Sequence, residues 1–244
     1  MVPVHHLKCR PGEVAERVVV FGDPCRTKRF SALLDGCRQV NRERCLLTYT
    51  GRYNGIEVTL STTGMGTPSA AIVSEELAAL GARCIIRAGT AGSVSAEVQT
   101  GDAIVPTEAI PLDGTTKAYR LKFKIPAGSP RAASEVSEKL FAHATSRGVK
   151  ARMGKVCTSD AFYLEDERRA SYWARRGVLG FEMECAVIFT IGMVREYMSG
   201  AILVVTGDAR SQGSDRVKNT TEVKRVVQEC VISALETAIT VNPT

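Results

Sequence analysis

The predicted fold is built around the segment Cys84-Ile-Ile-Arg-Ala-Gly-Thr-Ala-Gly-Ser-Val94. Its first half is an apolar run of the kind that ends a buried strand. Gly89 and Gly92 then predict a tight turn, which would bring backbone N–H groups close to a ligand. Arg87 lies where the strand meets this turn, and because a charge there needs a partner, a bound anion is the simplest explanation. A plain structural turn explains the two glycines equally well, so other parts of the chain are needed to distinguish a ligand-binding turn from a structural one.

The composition is that of one α/β domain spanning residues 1–244. The chain has 244 residues, of which 44% are hydrophobic, enough to bury a sizeable core. Lysine and arginine number 32 against 26 aspartates and glutamates, giving a net charge of +6 that is spread along the chain. A nucleic-acid groove needs a clustered basic stripe, so no nucleic-acid partner is expected and an anionic small molecule fits better.

Cysteine usage and the apolar runs set the expected compartment. The eight cysteines show neither a Cys-x-x-Cys motif nor a paired Cys/His spacing, so no zinc or other metal site is expected. Scattered cysteines, several within apolar runs, favour a reducing cytoplasm. The longest apolar run, residues 185–194, is too short to span a bilayer, and residues 1–8 contain no signal-peptide core, so no membrane partner is expected.

The first predicted strand leads into a candidate anion site. Val18–Phe21 is a strand-length apolar run that the sequence Gly22-Asp-Pro ends. Residues 26–34 have helical spacing, so Arg26 should lie in the first turn of a helix. A strand, a glycine turn and a helix N-terminus together can bind an anion, although the same sequence also fits a simple strand–helix connection.

Strands and helices alternate through the rest of the chain. An Asn-Gly pair at 54–55 predicts a hairpin between strands at 45–50 and 56–61. Residues 108–130 are expected to be irregular. Further helices are predicted at 69–80, 132–146, 166–176, 185–197 and 221–241, and further strands at 103–106, 150–157, 178–181 and 201–205. The alternation predicts an α/β fold with a central mixed, mostly parallel sheet and helices on both faces.

Side chains able to carry chemistry follow several of the predicted strands. They are Arg26, Arg87, Phe162, Glu184 and Asp208. Ligands in such sheets bind outside the carboxyl ends of the strands, so these side chains should converge. The two arginines could hold one tetrahedral anion, and Glu182 with Glu184 could accept hydrogen bonds from a sugar or simply complement a helix dipole. Phe162 beside Tyr163 fits either core packing or a stacking wall for a base.

Four segments, in order along nearly the whole chain, carry a family resemblance. They are Gly22-Asp-Pro-Cys-Arg26, Ile86-Arg-Ala-Gly-Thr-Ala-Gly92, Ser159-Asp-Ala-Phe-Tyr163 and Glu182-Met-Glu-Cys-Ala186. These segments resemble the hexameric nucleoside phosphorylases, which include purine nucleoside, 5′-methylthioadenosine and uridine phosphorylases. The resemblance implies that inorganic phosphate, as co-substrate, attacks C1′ of a nucleoside to give free base and ribose 1-phosphate. It implies no cofactor.

The resemblance also implies a role for particular residues. Phosphate would be bound by Gly22, Arg26, Arg87 and Thr90, with Arg42 reaching in from a neighbouring subunit. Ribose would be held by Met183 and Glu184, with the neighbour's His6 at the 5′ end. The base would be contacted by Ala91, Gly92, Phe162, Phe181, Glu182 and Asp208. Arg26 and Arg87 would act catalytically by orienting the phosphate, and Asp208 by protonating the leaving base.

The resemblance further implies a homo-oligomer, a hexamer built as a trimer of dimers with sites shared across each dimer, so that an isolated monomer is inactive. The chain departs from the family pattern at three places. Cys25 replaces a glycine and Thr90 replaces a serine, but the turn and the hydroxyl are kept. The run Thr206-Gly207-Asp208 lacks the serine that usually precedes the acid, which leaves the register of Asp208 with the base open.

A purine base is favoured over uracil by a small margin. Asp208 and residues 160–167 resemble the purine and methylthioadenosine branch, whereas Leu112-Asp-Gly-Thr115 resembles the uridine branch. The uridine branch reads uracil with a glutamine and an arginine, which correspond here to Asp166 and Arg168, so the glutamine is missing. A nucleosidase is less expected, because a water nucleophile needs no arginine cluster. A non-catalytic nucleoside-binding protein would keep the ribose residues and lose the acid.

Overall fold

The computed structural model describes residues 3–211 and 217–243, and every strand among them joins one sheet. The strands are β1 (Arg17–Phe21), β2 (Asp35–Asn41), β3 (Thr48–Tyr53), β4 (Ile56–Thr62), β5 (Cys84–Ser93), β6 (Ala103–Pro111), β7 (Ala151–Thr158), β8 (Val178–Glu182) and β9 (Met198–Asp208). Their order in the sheet is β2-β3-β4-β1-β5-β8-β7-β6-β9. Within the described residues, five of the nine strand pairings are parallel, so the predicted mixed, mostly parallel sheet is confirmed.

One half of the sheet closes into a ring. The long strand β5 pairs in parallel with β9 along its length and in antiparallel fashion with β8 at Gly92 and Ser93, so the ring runs β5-β8-β7-β6-β9. The close approach at this junction requires glycine, because a Cβ on Gly180 would lie 2.9 Å from the carbonyl oxygen of Gly92. The prediction of alternating strands and helices did not include this closure.

Helices cover both faces of the sheet. They are α1 (Pro24–Ser31), α2 (Thr67–Ala79), α3 (Gly114–Phe123), α4 (Ser134–Ser146), α5 (Glu167–Ala174), α6 (Cys185–Arg195) and α7 (Thr221–Thr240). In β1, Val18 and Val20 pack into the core shared with α2 and α6, while Val19 and Phe21 pack into the core shared with α1, α4 and α7. A strand buried on both faces reads as a continuous apolar run, which is why β1 was evident from sequence. In the described residues, no helix is long and apolar enough to cross a membrane.

Gly89 and Gly92 do not form the predicted turn. Both lie inside β5, which continues to Ser93, and neither has a positive φ. Their role is to leave space for neighbouring side chains. A Cβ on Gly89 would lie 2.7 Å from Cζ of Arg87, and one on Gly92 would lie 3.3 Å from Cβ of Ala209. The glycines therefore mark a strand that other groups approach closely, a known alternative to a turn.

The prediction of an irregular segment at 108–130 is wrong. Strand β6 continues to Pro111, and α3 begins directly afterwards, with the carboxylate of Asp113 accepting a hydrogen bond from the Thr116 N–H at 2.6 Å. The prolines hid the strand, because Pro106 cannot donate to the ladder and the register with β7 shifts between Pro106 and Glu108. Strand β2 was also missed, since it is largely exposed and carries no apolar run.

Candidate active site

A cavity of about 910 Å³ opens at the carboxyl ends of β1, β7, β8 and β9 and along the second half of β5. Ligands of parallel sheets bind at this edge. Eleven of the predicted site residues line the cavity: Gly22, Arg26, Arg87, Thr90, Ala91, Gly92, Phe162, Phe181, Glu182, Met183 and Glu184. Strands distant in sequence thus bring together the residues predicted for phosphate, ribose and base.

Arg26 provides a positive charge at one end of the cavity. Asp23 accepts a hydrogen bond from the Cys25 N–H at 2.8 Å and starts α1, with Pro24 at the first helical position, so Arg26 lies in the first turn as predicted. Burial lowers the pKa of Arg26; the charge of Asp23 opposes this, and the charge of Arg87 adds to it. Among the described residues Arg26 has no ion-pair partner, so this end of the cavity can accept an anion.

Arg87 is buried and is held by two carboxylates. Its Nη2 lies 2.5 Å from Oε2 of Glu184, and its Nε lies 3.4 Å from Oε2 of Glu182. Burial by itself would lower the pKa of Arg87, but the charges of Glu184 and then Glu182 outweigh it and raise the pKa above its usual value. The expectation that a bound anion is the partner of Arg87 is therefore corrected, because this protein supplies the partners itself.

The two glutamates differ in what their oxygens do. The Oε1 of Glu184 accepts a hydrogen bond from the Gly66 N–H at 2.6 Å, which ties the start of α2 to the site. Burial raises the pKa of Glu184, and the charge of Arg87 opposes that rise. Glu182 instead closes the N-terminus of α6, accepting the N–H groups of Glu184 and Cys185 and the hydroxyl of Thr158.

Aromatic and apolar groups form another part of the cavity wall. Phe181 is 3% exposed and belongs to a small core with α5, and the guanidinium of Arg169 lies over its ring, 5.8 Å from the centroid. Phe162 follows β7 in a short 3-10 turn, and Tyr163 beside it is 89% exposed. Asp160 accepts hydrogen bonds from the Thr67 hydroxyl at 3.0 Å and from a backbone N–H of α3, so α2, α3 and this wall are joined.

Asp208 does not line the cavity. Its carboxylate is bound by Arg210, with Nη2 at 2.6 Å from Oδ2 and Nε at 2.8 Å from Oδ1. The hydrogen bonds from Arg210 lower the pKa of Asp208, whereas an acid that protonates a base at neutral pH needs a raised pKa. Thr206 and Ala209 border the cavity on either side of it.

The two residues of the uridine alternative also lie outside the cavity. Asp166 is the N-cap of α5, where its side chain accepts a hydrogen bond from the Arg169 N–H at 2.7 Å. Arg168 is exposed on the first turn of the same helix. Phe162 and Phe181 line the cavity, but Asp166 and Arg168 do not.

His6 and Arg42 are placed away from the cavity of their own chain. Nδ1 of His6 lies 2.7 Å from Oε1 of Glu76 on α2, and the backbone N–H groups of residues 5–7 also bind that carboxylate. Arg42 follows β2 and precedes the 3-10 turn Glu43–Cys45. That a neighbouring subunit supplies both residues stays a prediction.

Gly66, Thr158 and Met65 are among the residues of the site that were not predicted from the sequence. Gly66 binds Glu184, Thr158 binds Glu182, and Met65 borders the cavity although it is 82% exposed. The sequence Gly64-Met65-Gly66 could have indicated that this loop belongs to the site, because two glycines before a helix are typical of a loop that approaches a ligand. Thr158 carried no such signal, since its role depends on contacts between distant strands.

Comparison with known proteins identifies the family. The family model of the phosphorylase superfamily matches residues 16–240. A uridine phosphorylase of Thermococcus kodakarensis is 35% identical over 214 residues, covering 82% of this chain and 76% of the relative. A guanosine phosphorylase of Halorubrum lacusprofundi is 32% identical, covering 83% of each chain. A DeoD-type purine nucleoside phosphorylase of a Geobacillus species is 32% identical, covering 97% of this chain and 99% of the relative.

Solved structures agree with this family. The crystal structure of uridine phosphorylase from Vibrio fischeri ES114 superposes with a TM-score of 0.85 at 29% identity, covering 98% of each chain. The same enzyme in complex with 6-hydroxy-1-naphthoic acid gives a TM-score of 0.84 at 30% identity, covering 94% of this chain and 93% of the other. The predicted nucleoside phosphorylase fold is confirmed.

The chain belongs to the phosphorylase superfamily. Within that superfamily it is a nucleoside phosphorylase, a pentosyltransferase. The names of its relatives divide between uridine, guanosine and purine nucleosides at similar identity, so similarity alone does not select the base.

Proposed function

We propose that the enzyme catalyses reversible phosphorolysis of a ribonucleoside, preferably a purine nucleoside such as inosine, adenosine or 5′-methylthioadenosine, to free base and ribose 1-phosphate. One observation carries the proposal: a single cavity holds Arg26, Arg87 and Thr90 beside Met183 and Glu184. The first group suits a phosphate, through forked and charge-assisted hydrogen bonds. The second suits a ribose, through a carboxylate that accepts hydrogen bonds from vicinal hydroxyls.

The chemistry follows from this arrangement. A phosphate oxygen forms a bond to C1′ while the bond from C1′ to the base nitrogen breaks, and the bonding electron pair leaves with the base. The ribose gains oxocarbenium character in between. Arg26 and Arg87 hold the phosphate in line with the breaking bond, which removes the entropic cost of bringing two molecules together. The departing base then needs a proton.

Asp208 is the proposed proton donor for a purine base. Asp208 ends β9 between Thr206 and Ala209, which line the cavity, but Arg210 holds its carboxylate in the ion pair. The proposal therefore requires Arg210 to release Asp208 when a purine is bound. Protonation of N7 in this way contributes about 10²-fold or more to the rate of departure of a base.

Uridine is the second candidate substrate. The uridine phosphorylases among the relatives and solved structures favour it. The structure gives no support for uridine from Asp166 and Arg168. Asp166 caps α5, Arg168 is exposed on the same helix, and neither residue borders the cavity. A nucleosidase is disfavoured because Arg26, in the first turn of α1, has no described ion-pair partner and suits an anion rather than water.

The proposal includes assembly into a homo-oligomer, expected as a hexamer made of three dimers. It is motivated by the positions of His6 and Arg42, which lie outside the cavity of their own chain although the family resemblance gives them ligand contacts. In the assembly a neighbouring subunit would bring Arg42 to the phosphate and His6 to the 5′ end of the ribose.

The test is base release from inosine, 5′-methylthioadenosine and uridine, each with and without phosphate. Phosphate-dependent release of a purine together with ribose 1-phosphate supports the proposal. Release that does not depend on phosphate identifies a hydrolase and overturns it. Arg26→Ala should abolish most of the activity, and Arg29→Ala is the matched control, because Arg29 lies on the same helix and contacts Gln228 instead of the cavity.

A further inference from the structure

Both oxygens of the Glu182 carboxylate are bound by the protein. Its Oε1 accepts the Cys185 N–H at 3.0 Å and the hydroxyl of Thr158, and its Oε2 accepts the N–H groups of Glu184 at 2.8 Å and Cys185 at 2.9 Å. These are three donors, since the Cys185 N–H is shared by both oxygens, and they take most of the about four acceptor positions of the carboxylate; Nε of Arg87 faces the same carboxylate at 3.4 Å. The base-binding role expected for Glu182 is not supported by this arrangement.

Glu184 has the opposite character. Its side chain receives backbone hydrogen bonds, from Gly66 and Met183, and one ion pair, from Arg87. The second of these is exchangeable, because ribose hydroxyls are donors that can take the place of a guanidinium. Arg87 can be released in return only if another anion receives it, and Arg26, which lines the same cavity, supplies a positive charge to hold such an anion.

We propose that Glu182 is a positioning residue that keeps Arg87 in place while Glu184 exchanges Arg87 for substrate. The inference rests on the proposed phosphorolysis. In the free enzyme Arg87 is shared by the two carboxylates. An arriving phosphate takes Nη2 from Glu184, while Glu182, fixed by Thr158 and by the α6 N-terminus, continues to face Nε. Glu184 is then free to accept the ribose hydroxyls.

Two consequences follow from this exchange. Phosphate and nucleoside should each strengthen the binding of the other, because each relieves the competition of Glu184 for Arg87, and such coupling is reciprocal. The hydroxyl of Thr158 should matter for anion binding although Thr158 does not line the cavity. It donates to Glu182 and accepts the Ala186 N–H at 2.9 Å, so it fixes the carboxylate that faces Arg87.

The first experiment compares Thr158→Val with Thr190→Val. Both threonines are buried, and the Thr190 hydroxyl donates to the Ala186 carbonyl at 2.7 Å without touching Glu182, so each variant loses a buried, hydrogen-bonded hydroxyl. Binding of sulfate, an unreactive stand-in for phosphate, is measured by calorimetry. We expect sulfate to bind ~3- to 10-fold more weakly to Thr158→Val, the loss typical of one hydrogen bond, and unchanged to Thr190→Val. Equal affinities in the two variants overturn the proposal.

A second variant keeps the proposal testable if Thr158→Val folds poorly. Glu184→Gln removes the negative charge that competes for Arg87 while keeping the size of the side chain. We expect sulfate to bind ~3- to 10-fold more tightly and the KM for nucleoside to rise, opposite effects that a loss of structure cannot produce. Weaker sulfate binding in this variant contradicts the exchange.

The outcome is separable from that of the proposed function. Formation of ribose 1-phosphate by the unmodified enzyme tests phosphorolysis, whereas the sulfate series needs no turnover. If ribose 1-phosphate forms but sulfate affinity ignores Thr158 and Glu184, only the positioning role is overturned. If sulfate affinity responds as expected but no ribose 1-phosphate forms, the coupling of Arg87 stands and the proposed function is overturned.

Discussion

The guanidinium of Arg87 lies over Gly89, which is two residues further along the same strand. A Cβ at position 89 would lie 2.7 Å from Cζ of Arg87 and less than 3 Å from both terminal nitrogens. Because residues i and i+2 of a strand share a face, only glycine at position 89 lets the arginine take this path. The glycine thus sets where the positive charge lies in the cavity.

Gly89→Ala should therefore disable phosphate use. A methyl group displaces the guanidinium, and a misplacement of about 1 Å can cost about 10²-fold in rate, which we expect in kcat/KM for phosphate. Gly114→Ala is the control, since its Cβ would meet nothing closer than 3.9 Å and its φ is not positive. Steady-state kinetics with phosphate as the varied substrate measure both. Normal phosphate kinetics in Gly89→Ala would refute the role of this glycine.

Arg210→Ala should shift the pH profile of purine phosphorolysis. Arg210 lowers the pKa of Asp208, so its removal lets that pKa return toward its ordinary value. An acid must be protonated to act, and activity is lost as pH rises through its pKa; the falling limb of kcat against pH should therefore move to higher pH. Arg225→Ala, which breaks an exposed pair with Glu222, serves as the comparison and should leave the profile in place. An unmoved limb in Arg210→Ala, or full purine activity in Asp208→Asn, would rule out Asp208 as the acid.

Glu76 should make the stability of the fold depend on acid pH. Burial would raise its pKa, but hydrogen bonds from the Leu7 N–H, the His6 ring and the N–H groups of residues 5 and 6 outweigh this and lower it. A folded-state pKa below the unfolded value gives stability that is present above the unfolded pKa and lost as pH falls through the folded one. The free energy of unfolding, measured with urea at pH 7 and near pH 4, should differ less between the two pH values in Glu76→Gln than in the unmodified chain.

The neighbouring position gives the control for this measurement. Glu75 pairs with Arg195 instead of the N-terminal segment, at 2.6 Å. Glu75→Gln should keep slow hydrogen exchange at residues 5–7, whereas Glu76→Gln should accelerate it. Slow exchange at those residues in Glu76→Gln would show that other contacts hold the segment.

Mixing two inactive variants tests whether sites are shared. Arg42→Ala would remove a residue supplied to the neighbour, and Arg26→Ala a residue of the chain's own cavity. A dimer that contains one of each has one intact site, so random reassortment in an isologous dimer should restore about a quarter of the normal activity. Reassortment after mild dissociation, followed by an assay of base release, measures it. Activity that stays at the level of the separate variants would show that each site is complete within one chain.

Local features of the site could be predicted from the sequence. The first turn of α1 with Arg26 and the start of α6 with Glu184 were both predicted, because a strand, a turn and a helix start leave their marks on neighbouring residues. Contacts across the sheet could not be predicted in this way. The pairing of β5 with β9, the hydroxyl of Thr158 on Glu182, and the carboxylates around Arg87 all join residues far apart in sequence.

The bidentate pair of Asp208 with Arg210 is a different case. The two residues are two positions apart in sequence, so the pair could have been predicted as a short-range contact. The family resemblance implies a role for the acid alone, so the ion pair was not predicted. That Asp208 protonates the base stays a prediction, and the structure adds the ion pair with Arg210.

The closed ring of strands divides the cavity into a stiff end and an adjustable end. Arg87 and Thr90 lie on β5. One edge of β5 pairs with β1 and, further along, with β8, and the other edge pairs with β9 along its length. The backbone of these two residues therefore cannot move without breaking the ring. Tyr163 and Leu164 lie outside the ring on a short 3-10 turn and are mostly exposed. Exchanging side chains on that turn should cost little folding stability. Such a division allows one scaffold to keep its phosphate chemistry while trading one nucleobase for another.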